Sequence, residues 1–268
     1  MIEHVHVTAP DDSRLALYRH VGDPDWLRNQ QLFVAEGRLV VSRLLDANRF
    51  DVISIAVTPA AHASFGERLD SVTAPVYVCD QRTLNDVTGF NFHRGCLAIA
   101  RRPASPALPA FVAAGRLLAL EGVGNPDNVG GLFRTAAAFG VDGIVLDPRS
   151  GDPLYRKAIR TSMGASLSLP WLRLPSWPSD LDWFRSKGFR VLALTPRSDA
   201  TPIHEFSAPA DARLLVLVGS EGDGLSAAAL SAADECIRVP IASSMDSLNV
   251  IVAAGIMLAA IGLPGTSG

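Results

Sequence analysis

The first part of the chain alternates between short apolar runs of β type and longer segments with helical spacing. The runs are rich in β-branched side chains, which favour strands. They lie at residues 32–35, 52–57, 75–78 and 95–100. This alternation predicts a small α/β domain over residues 1–102.

A proline-rich segment follows at residues 103–113, where Pro103, Pro106 and Pro109 recur at regular spacing. Proline lacks the backbone donor and fixes φ, so neither a helix nor a central strand is expected there. The segment predicts a linker between two domains.

Near-continuous apolar runs return in the second part of the chain, at residues 117–120, 143–146, 191–194 and 214–218. Strands that are apolar on both faces are typical of a parallel sheet covered by helices on both sides. The prediction is a parallel-sheet α/β domain over residues 114–268. In such sheets ligands bind at the carboxyl ends of the strands, and the polar and glycine-rich segments of this chain follow the predicted strands.

The composition narrows the class of protein. With 268 residues, 48% hydrophobic and 19% charged, the disordered and fibrous classes are excluded. The apolar stretch 250–263 is too short to span a bilayer and predicts a buried helix. No secretory leader is visible, which predicts a cytoplasmic location.

Charge and cysteines exclude further classes. A net charge of −3 argues against a protein that coats nucleic acid by bulk charge, although a local basic face stays open. Cys79, Cys96 and Cys236 are widely spaced and far from paired histidines. We therefore expect buried thiols, with no disulfide and no metal site.

Residues 121–140 form the first segment with candidate chemistry. Pro126 suits the start of a helix and Gly140 its end, and an apolar stripe with helical spacing lies between them. Arg134 falls off that stripe. The alternative to a functional role for this segment is an amphipathic helix with one solvated arginine.

The second segment, residues 217–226, is a buried strand that opens into a turn with three glycines. Glu221 and Asp223 stand where a phosphate would approach. Two carboxylates would repel it, which argues against a dinucleotide loop and hence against a nucleotide-dependent oxidoreductase. A neutral or cationic ligand fits better, and a plain turn is the alternative.

In the third segment, residues 239–250, Ser247 and Asn249 stand at the head of the apolar helix. The alternative to a functional role is that these two side chains only cap the helix. Three such loops at strand ends, in this order and spacing, are the strongest indication of function.

Together the three segments resemble the signature motifs of the SpoU/TrmH family of RNA ribose 2′-O-methyltransferases, within the SPOUT superfamily, over residues 117–263. Residues 152–165 resemble the family's R-x-S-x-G-A stretch. Residues 33–37 resemble its F-x-x-E-G motif, found in a small substrate-binding domain similar to ribosomal RNA-binding proteins. Ser243 and Ile251 depart from the usual glycine and serine of the family.

The resemblance implies a fold and a set of site residues. Residues 114–268 would form a sheet with a deep trefoil knot that binds S-adenosylmethionine, and residues 1–102 would bind RNA. The implied donor-binding residues are Thr195, Gly219, Val239, Ile241 and Leu248. The implied catalytic residues are Arg134, with Asn128, Glu221, Ser247 and Asn249 grouped about it. The implied RNA-binding residues are Arg156, Lys157, Arg160 and Ser162.

The resemblance also implies a homodimer, in which catalytic and donor-binding residues come from different subunits. Ribosomal RNA is the preferred substrate, because the added amino-terminal domain resembles that of family members that modify it. The alternatives are a tRNA 2′-O-methyltransferase, a knotted enzyme that methylates a base nitrogen, and a non-catalytic RNA-binding protein of the same fold. Whether Arg38, Arg43, Arg94, Arg101 and Arg102 form one surface is left open.

Overall fold

A computed structural model describes residues 4–209 and 211–262. It divides the chain into two compact units. The first comprises residues up to Ala104 together with Leu154–Ser168, and the second comprises Ser105–Pro153 with the residues from Leu169 onwards.

The secondary structure confirms the predicted alternation of strands and helices. The strands are β1 His4–His6, β2 Leu32–Glu36, β3 Val52–Val57, β4 Val76–Val78, β5 Cys96–Arg101, β6 Arg116–Glu121, β7 Gly143–Leu146, β8 Trp171–Arg173, β9 Phe189–Leu194, β10 Thr201–Pro202, β11 Arg213–Gly219 and β12 Glu235–Arg238. The helices are α1 Pro24–Asn29, α2 Arg38–Ala47, α3 Pro59–Phe65, α4 Gln81–Thr88, α5 Pro126–Ala138, α6 Arg156–Thr161, α7 Ala165–Ser168, α8 Leu181–Ser186, α9 Ala227–Ala232 and α10 Val250–Ala260. Short 3₁₀ segments lie at Ser13–His20, Gly66–Arg68 and Leu108–Phe111.

The first unit contains a mixed five-stranded sheet in the order β1-β4-β3-β5-β2. Strand β5 is antiparallel to both of its neighbours, while β1, β4 and β3 run parallel. Every residue of β2 is buried, because helix α6 packs against this edge strand. The four strands predicted for this region are present, and β1 is an addition to them.

The second unit contains a seven-stranded sheet in the order β10-β12-β9-β11-β6-β7-β8, with every pairing parallel. This confirms the predicted parallel α/β sheet. The central strands β6 and β11 are buried along almost their whole length, as their unbroken apolar runs predict. The sequence does not reveal β8, β10 and β12, which are short and lie toward the two edges of the sheet.

The compact units differ from the predicted domains at two places. Residues 105–113 belong to the second unit, where Phe111 is buried in the core. Its ring occupies the space above Gly143, so a Cβ there would lie 2.4 Å from Phe111 Cε1. Residues 154–168 belong to the first unit, where the Arg43 and Arg49 side chains donate to the carbonyls of Met163 and Leu167. Such long-range contacts leave no periodic trace in the sequence.

Helix α10 packs closely on α5 at a glycine. A Cβ on Gly131 would lie 2.2 Å from Cδ1 of Ile251. Gly131 therefore makes room for the isoleucine that stands where the family usually has serine. The apolar stretch predicted as a buried helix begins at Val250 as expected and ends at Ala260, and residue 263 lies outside the described residues.

We expect Gly131→Ala to lower the free energy of unfolding by about 1–2 kcal/mol, because the new methyl group overpacks the contact with Ile251. In an Ile251→Ala background the same substitution should raise it by up to about 1 kcal/mol, since alanine is the better helix former. Denaturant unfolding of the four proteins measures both values. The same sign in both backgrounds would contradict the packing explanation.

Two expectations about chemistry can be compared with the described residues. Cys79 and Cys96 are buried thiols, as predicted, and Cys236 is half-buried; all three are free. Burial raises the pKa of the Cys79 thiol to about 11 and that of the Cys96 thiol to about 12. Among the described residues, no helix is long and apolar enough to cross a membrane.

Candidate active site in the second unit

A cavity of about 460 Å³ lies at the carboxyl ends of β9 and β11 in the second unit. Because the strands of this sheet are parallel, their following loops meet at one edge. The cavity is lined by residues that follow β9, β11 and β12, and by the first turn of α10. Two of the three polar loops singled out in the sequence line it, the loop after β11 and the loop before α10.

The loop after β11 doubles back tightly on the end of the strand. Ser220 forms an antiparallel bridge with Gly224, whose φ is +67°. A Cβ on Gly219 would lie 2.1 Å from the carbonyl carbon of Gly224, so only glycine permits this approach of two backbone segments. The glycines of the second motif thus shape a cavity wall.

All five residues expected to bind the methyl donor line this cavity: Thr195, Gly219, Val239, Ile241 and Leu248. The Thr195 amide donates to the Ile237 carbonyl at 2.9 Å, which joins the loop after β9 to strand β12. Ser243 is exposed and does not line the cavity. Its φ is not positive, so the glycine usual in the family is not required by the backbone here.

Polar side chains meet at the rim of the cavity. Asn249 caps α10 by accepting from the Ile251 amide at 2.9 Å, and its side-chain amide donates to Oε1 of Glu221 at 2.8 Å. The same Nδ2 lies 3.5 Å from Oδ1 of Asn128, a buried residue of α5. Ser247 lines the same cavity. Four of the five predicted catalytic residues are therefore neighbours.

Arg134 stands apart from these four. It is exposed on α5 and forms no hydrogen bond or ion pair with any residue that the structure describes. Six residues separate it from Asn128, which at about 100° per residue places the two side chains roughly 120° apart around the helix. Among the described residues, no hydrogen bond or ion pair therefore joins Arg134 to the other four within one chain, and the expected grouping about Arg134 stays a prediction.

Two buried carboxylates that the sequence analysis did not assign support the loops of the cavity. Glu121, at the end of β6, accepts from the Trp177 indole, the Ser226 amide and the Ser226 hydroxyl at 2.7–2.8 Å. Ser226 in turn caps α9 at the end of the glycine loop. Glu121 thereby anchors the far end of that loop. The sequence does not identify such a residue, because its partners lie 56 and 105 positions away along the chain.

Asp147, at the end of β7, is the second. It accepts from the Ser150 amide and hydroxyl and from the Gly122 amide at 2.6–3.0 Å. Burial opposes its ionisation, but these hydrogen bonds outweigh burial and lower the pKa of the carboxyl below its ordinary value. The ionised Asp147 thus fixes the loop that leads into α5.

Comparison with known families identifies the family of this chain. The model of the SpoU rRNA methylase family matches residues 115–259, more than half of the chain. The chain belongs to the SpoU rRNA methylase family. An uncharacterised tRNA/rRNA methyltransferase of Mycobacterium bovis is 41% identical over 256 residues, which cover 93% of this chain and 88% of that protein.

Solved structures share the fold of this SpoU family member. An rRNA methyltransferase from Sinorhizobium meliloti, solved with AdoMet bound, superposes with a TM-score of 0.81 at 24% identity and covers 96% of both chains. A solved RNA 2′-O ribose methyltransferase superposes with a TM-score of 0.78 at 24% identity and covers 96% of this chain and 98% of its own. At this level of identity the two likenesses establish the fold.

The R-x-S-x-G-A stretch of this SpoU protein lies in the first unit. Arg160 is exposed, and Arg156 and Lys157 are half-buried on α6. Ser162 is fully buried, and its hydroxyl donates to the Ile159 carbonyl at 2.9 Å. The Ser162 hydroxyl closes the turn after α6, and the expectation that Ser162 contacts RNA stays untested.

Of the five arginines left open in the sequence, Arg94 and Arg102 lie at opposite ends of β2, and a single surface formed by all five stays untested. Arg94 lies beside Glu36 at one end of β2, while Arg102 donates to the Leu32 carbonyl at the other end. At about 3.3 Å per residue the ends of this strand are about 13 Å apart. Arg101 pairs with Asp51 near the Arg102 end, and Arg43 bonds to the Met163 carbonyl.

Proposed function

We propose that this SpoU family member transfers a methyl group from S-adenosylmethionine to a ribose 2′-hydroxyl of structured RNA, with ribosomal RNA the preferred substrate. The observation that carries the proposal is the polar cluster of Asn128, Glu221 and Asn249 at the rim of a cavity lined by all five expected donor-binding residues. A solved RNA 2′-O ribose methyltransferase shares this fold, which supports the ribose 2′-oxygen as the atom that receives the methyl group.

The residues present fit the donor. A volume near 460 Å³ falls within the range of pockets that hold cofactors, and apolar side chains dominate the wall. Exposed Glu221 and Asp223 give the glycine loop a negative charge, which suits a cation and repels phosphate. When bound, S-adenosylmethionine supplies an electrophilic methyl group on a positively charged sulfur.

The protein's own contribution is to position the ribose and to manage its proton. The 2′-oxygen bonds to the methyl carbon as the carbon–sulfur bond breaks, with the electron pair left on sulfur. The hydroxyl is a weak nucleophile until its proton is withdrawn. We assign orientation of the hydroxyl to Ser247, Asn249 and the residues bonded to Asn249.

Arg134 is assigned to activation of the hydroxyl. A guanidinium has a pKa above about 12 and does not lose its proton readily, so Arg134 acts either as the family's assigned base or by holding a substrate phosphate whose oxygen accepts the proton. Both versions require Arg134 near the cavity. Because no hydrogen bond or ion pair joins Arg134 to the cluster among the described residues of one chain, we propose that a second copy supplies it.

A homodimer through α10 would meet this requirement. The helix is apolar throughout, yet Val252 is 50% exposed and Ile256 is 37% exposed one turn later on the same face. An exposed apolar stripe on a helix marks a contact surface. Helix α10 packs on α5, and a Cβ on Gly255 would lie 3.5 Å from Cγ2 of Thr135, the neighbour of Arg134, so the stripe and Arg134 belong to one helical layer.

We expect Val252→Asp combined with Ile256→Asp to give a monomer, because two carboxylates would lose their hydration in the dimer. Light scattering at micromolar concentration measures the mass. Val112→Asp is the matched control, since Val112 is 46% exposed in the same unit but outside α10, and it should stay dimeric. A monomeric parent protein would contradict the dimer.

The trefoil knot and the ribosomal-protein-like fold of the first unit remain predictions. The same holds for the RNA-binding role of Arg156, Lys157 and Arg160, which we propose to contact the RNA backbone. Positive side chains of this kind supply sequence-independent affinity through phosphates.

The deciding experiment is transfer of labelled methyl from S-adenosylmethionine to unmodified ribosomal RNA and to tRNA, in parallel, followed by digestion to nucleosides. A labelled 2′-O-methylnucleoside from ribosomal RNA is the expected result. Label only in tRNA would overturn the substrate, and a methylated base would overturn the ribose chemistry. Absence of donor binding would favour a non-catalytic RNA-binding protein.

A further inference from the structure

One buried carboxylate of the first unit lies between two arginines. Glu36, the last residue of β2, is 7% exposed. Its Oε1 lies 3.4 Å from Nε of Arg94, and its Oε2 lies 3.3 Å from Nη1 of Arg156. Each carboxylate oxygen therefore holds a different guanidinium, although the two arginines are far apart in the sequence.

Both guanidiniums are fixed by further contacts. The Arg156 guanidinium carbon lies 4.5 Å from the centre of the Phe90 ring, a cation–π distance. The Arg94 side chain runs across Gly37, where a Cβ would lie 3.3 Å from Arg94 Cδ and where φ is +94°. Glu36 and Gly37 are the last two residues of the F-x-x-E-G motif. The motif therefore supplies the carboxylate that both arginines contact and the glycine that the Arg94 side chain crosses.

The charges at this place do not cancel. One guanidinium neutralises the Glu36 carboxylate, and the second guanidinium leaves a net positive charge. The Arg94 side chain is 52% exposed and the Arg156 side chain is 27% exposed, so both side chains also reach solvent. Arg160 is exposed on the same helix as Arg156. A fixed pair of arginines with free donors is the arrangement that binds phosphate oxygens.

We propose that Glu36 is a positioning residue that orients Arg94 and Arg156 as a clamp for a backbone phosphate of the substrate RNA. We call these three residues the Glu36 clamp. The inference rests on the proposed function and assigns its RNA contact. Glu36 itself does not touch RNA in this assignment.

The direction in which one substitution changes RNA affinity distinguishes this role from a simple effect of surface charge. Glu36→Gln removes a negative charge from a basic surface, so diffuse charge alone would make RNA bind more tightly. If Glu36 holds the two arginines in place, the same substitution releases them and weakens binding. The two explanations therefore predict opposite changes in the dissociation constant.

The experiment measures binding of unmodified ribosomal RNA and tRNA, separately, as a function of salt. For the RNA that the parent protein binds, we expect Glu36→Gln to weaken binding on the order of tenfold, and Arg94→Ala and Arg156→Ala each to reduce the salt slope by about one. Combining Glu36→Gln with Arg94→Ala should add little to the single variants. Arg82→Ala is the matched control, an exposed, ion-paired arginine on α4 of the same unit, and it should leave affinity within about twofold.

Folding and function are tested separately. Thermal unfolding and S-adenosylmethionine binding report the integrity of each variant, and Arg94→Ala tests the clamp at a half-exposed position if Glu36→Gln does not fold. Tighter binding by folded Glu36→Gln, or unchanged salt slopes for both arginine variants, would overturn the clamp. A parent protein that binds neither RNA would instead overturn the proposed function.

Discussion

Arg134→Ala is expected to abolish methyl transfer while S-adenosylmethionine binds as in the parent protein. Arg134 does not line the donor cavity, and it is exposed without a partner among the described residues, so its removal changes neither the cavity nor the core. Loss of a group that manages a proton costs on the order of 10²–10⁴-fold in rate. Single-turnover transfer and donor calorimetry measure the two quantities separately.

The matched variant is Arg134→Lys, which retains the charge but not the bidentate fork. Partial activity in Arg134→Lys would indicate that the charge holds a phosphate. A large loss of donor affinity in Arg134→Ala would contradict this division of labour, because it would place the residue in the donor site.

Mixing inactive variants tests whether the site is shared between subunits. In a mixed dimer of Arg134→Ala and Glu221→Ala, one shared site carries both substitutions and the other carries neither. Random mixing should then restore about a quarter of the parent activity. A mixture that stays inactive after subunit exchange would show that Arg134 and Glu221 act within one chain.

Gly219→Ala is expected to lower donor affinity by at least about tenfold. The new methyl group would lie 2.1 Å from the Gly224 carbonyl carbon and 2.4 Å from the Leu225 amide nitrogen. These are backbone atoms, so the loop must move away from the strand rather than a side chain rotate. The loop supplies Glu221 to the polar cluster, and methyl transfer should fall with donor binding.

Gly115→Ala is the control for this substitution. Gly115 precedes β6 at the amino ends of the strands, away from the cavity at their carboxyl ends, and a Cβ there makes only an ordinary contact of 3.6 Å with Asp142 Oδ2. It should bind the donor as the parent protein does. Unchanged donor affinity in Gly219→Ala would remove the second motif from the donor site.

Local sequence patterns predicted much of the fold. The apolar runs at β3 and β7 have the predicted bounds, and α5 begins at Pro126 as its proline and its Asx cap predict. The short edge strands were missed because three or four residues with half-buried side chains carry no distinctive period. Strand β12 has only Ile237 fully buried.

Site residues were predictable to the extent that they sit in motifs. The cavity wall followed from the glycine loop and the head of α10, because residue type and position at a strand end are both local information. Glu121 and Asp147 were not assigned, since their importance depends on partners from distant segments. The hydrogen bond of the Ser162 hydroxyl to the Ile159 carbonyl was not predicted either, because the sequence does not show whether a hydroxyl faces water or a helical carbonyl.

By itself, the sequence determined the two α/β regions, the parallel sheet and the family, because hydrophobic period and motif spacing are written along the chain. Tertiary structure alone decided which distant residues meet. It placed residues 154–168 in the first unit, buried Glu36 between Arg94 and Arg156, and bonded Asn249 to Glu221. Such meetings depend on how whole elements pack, and packing brings together residues whose sequence separation carries no local signal.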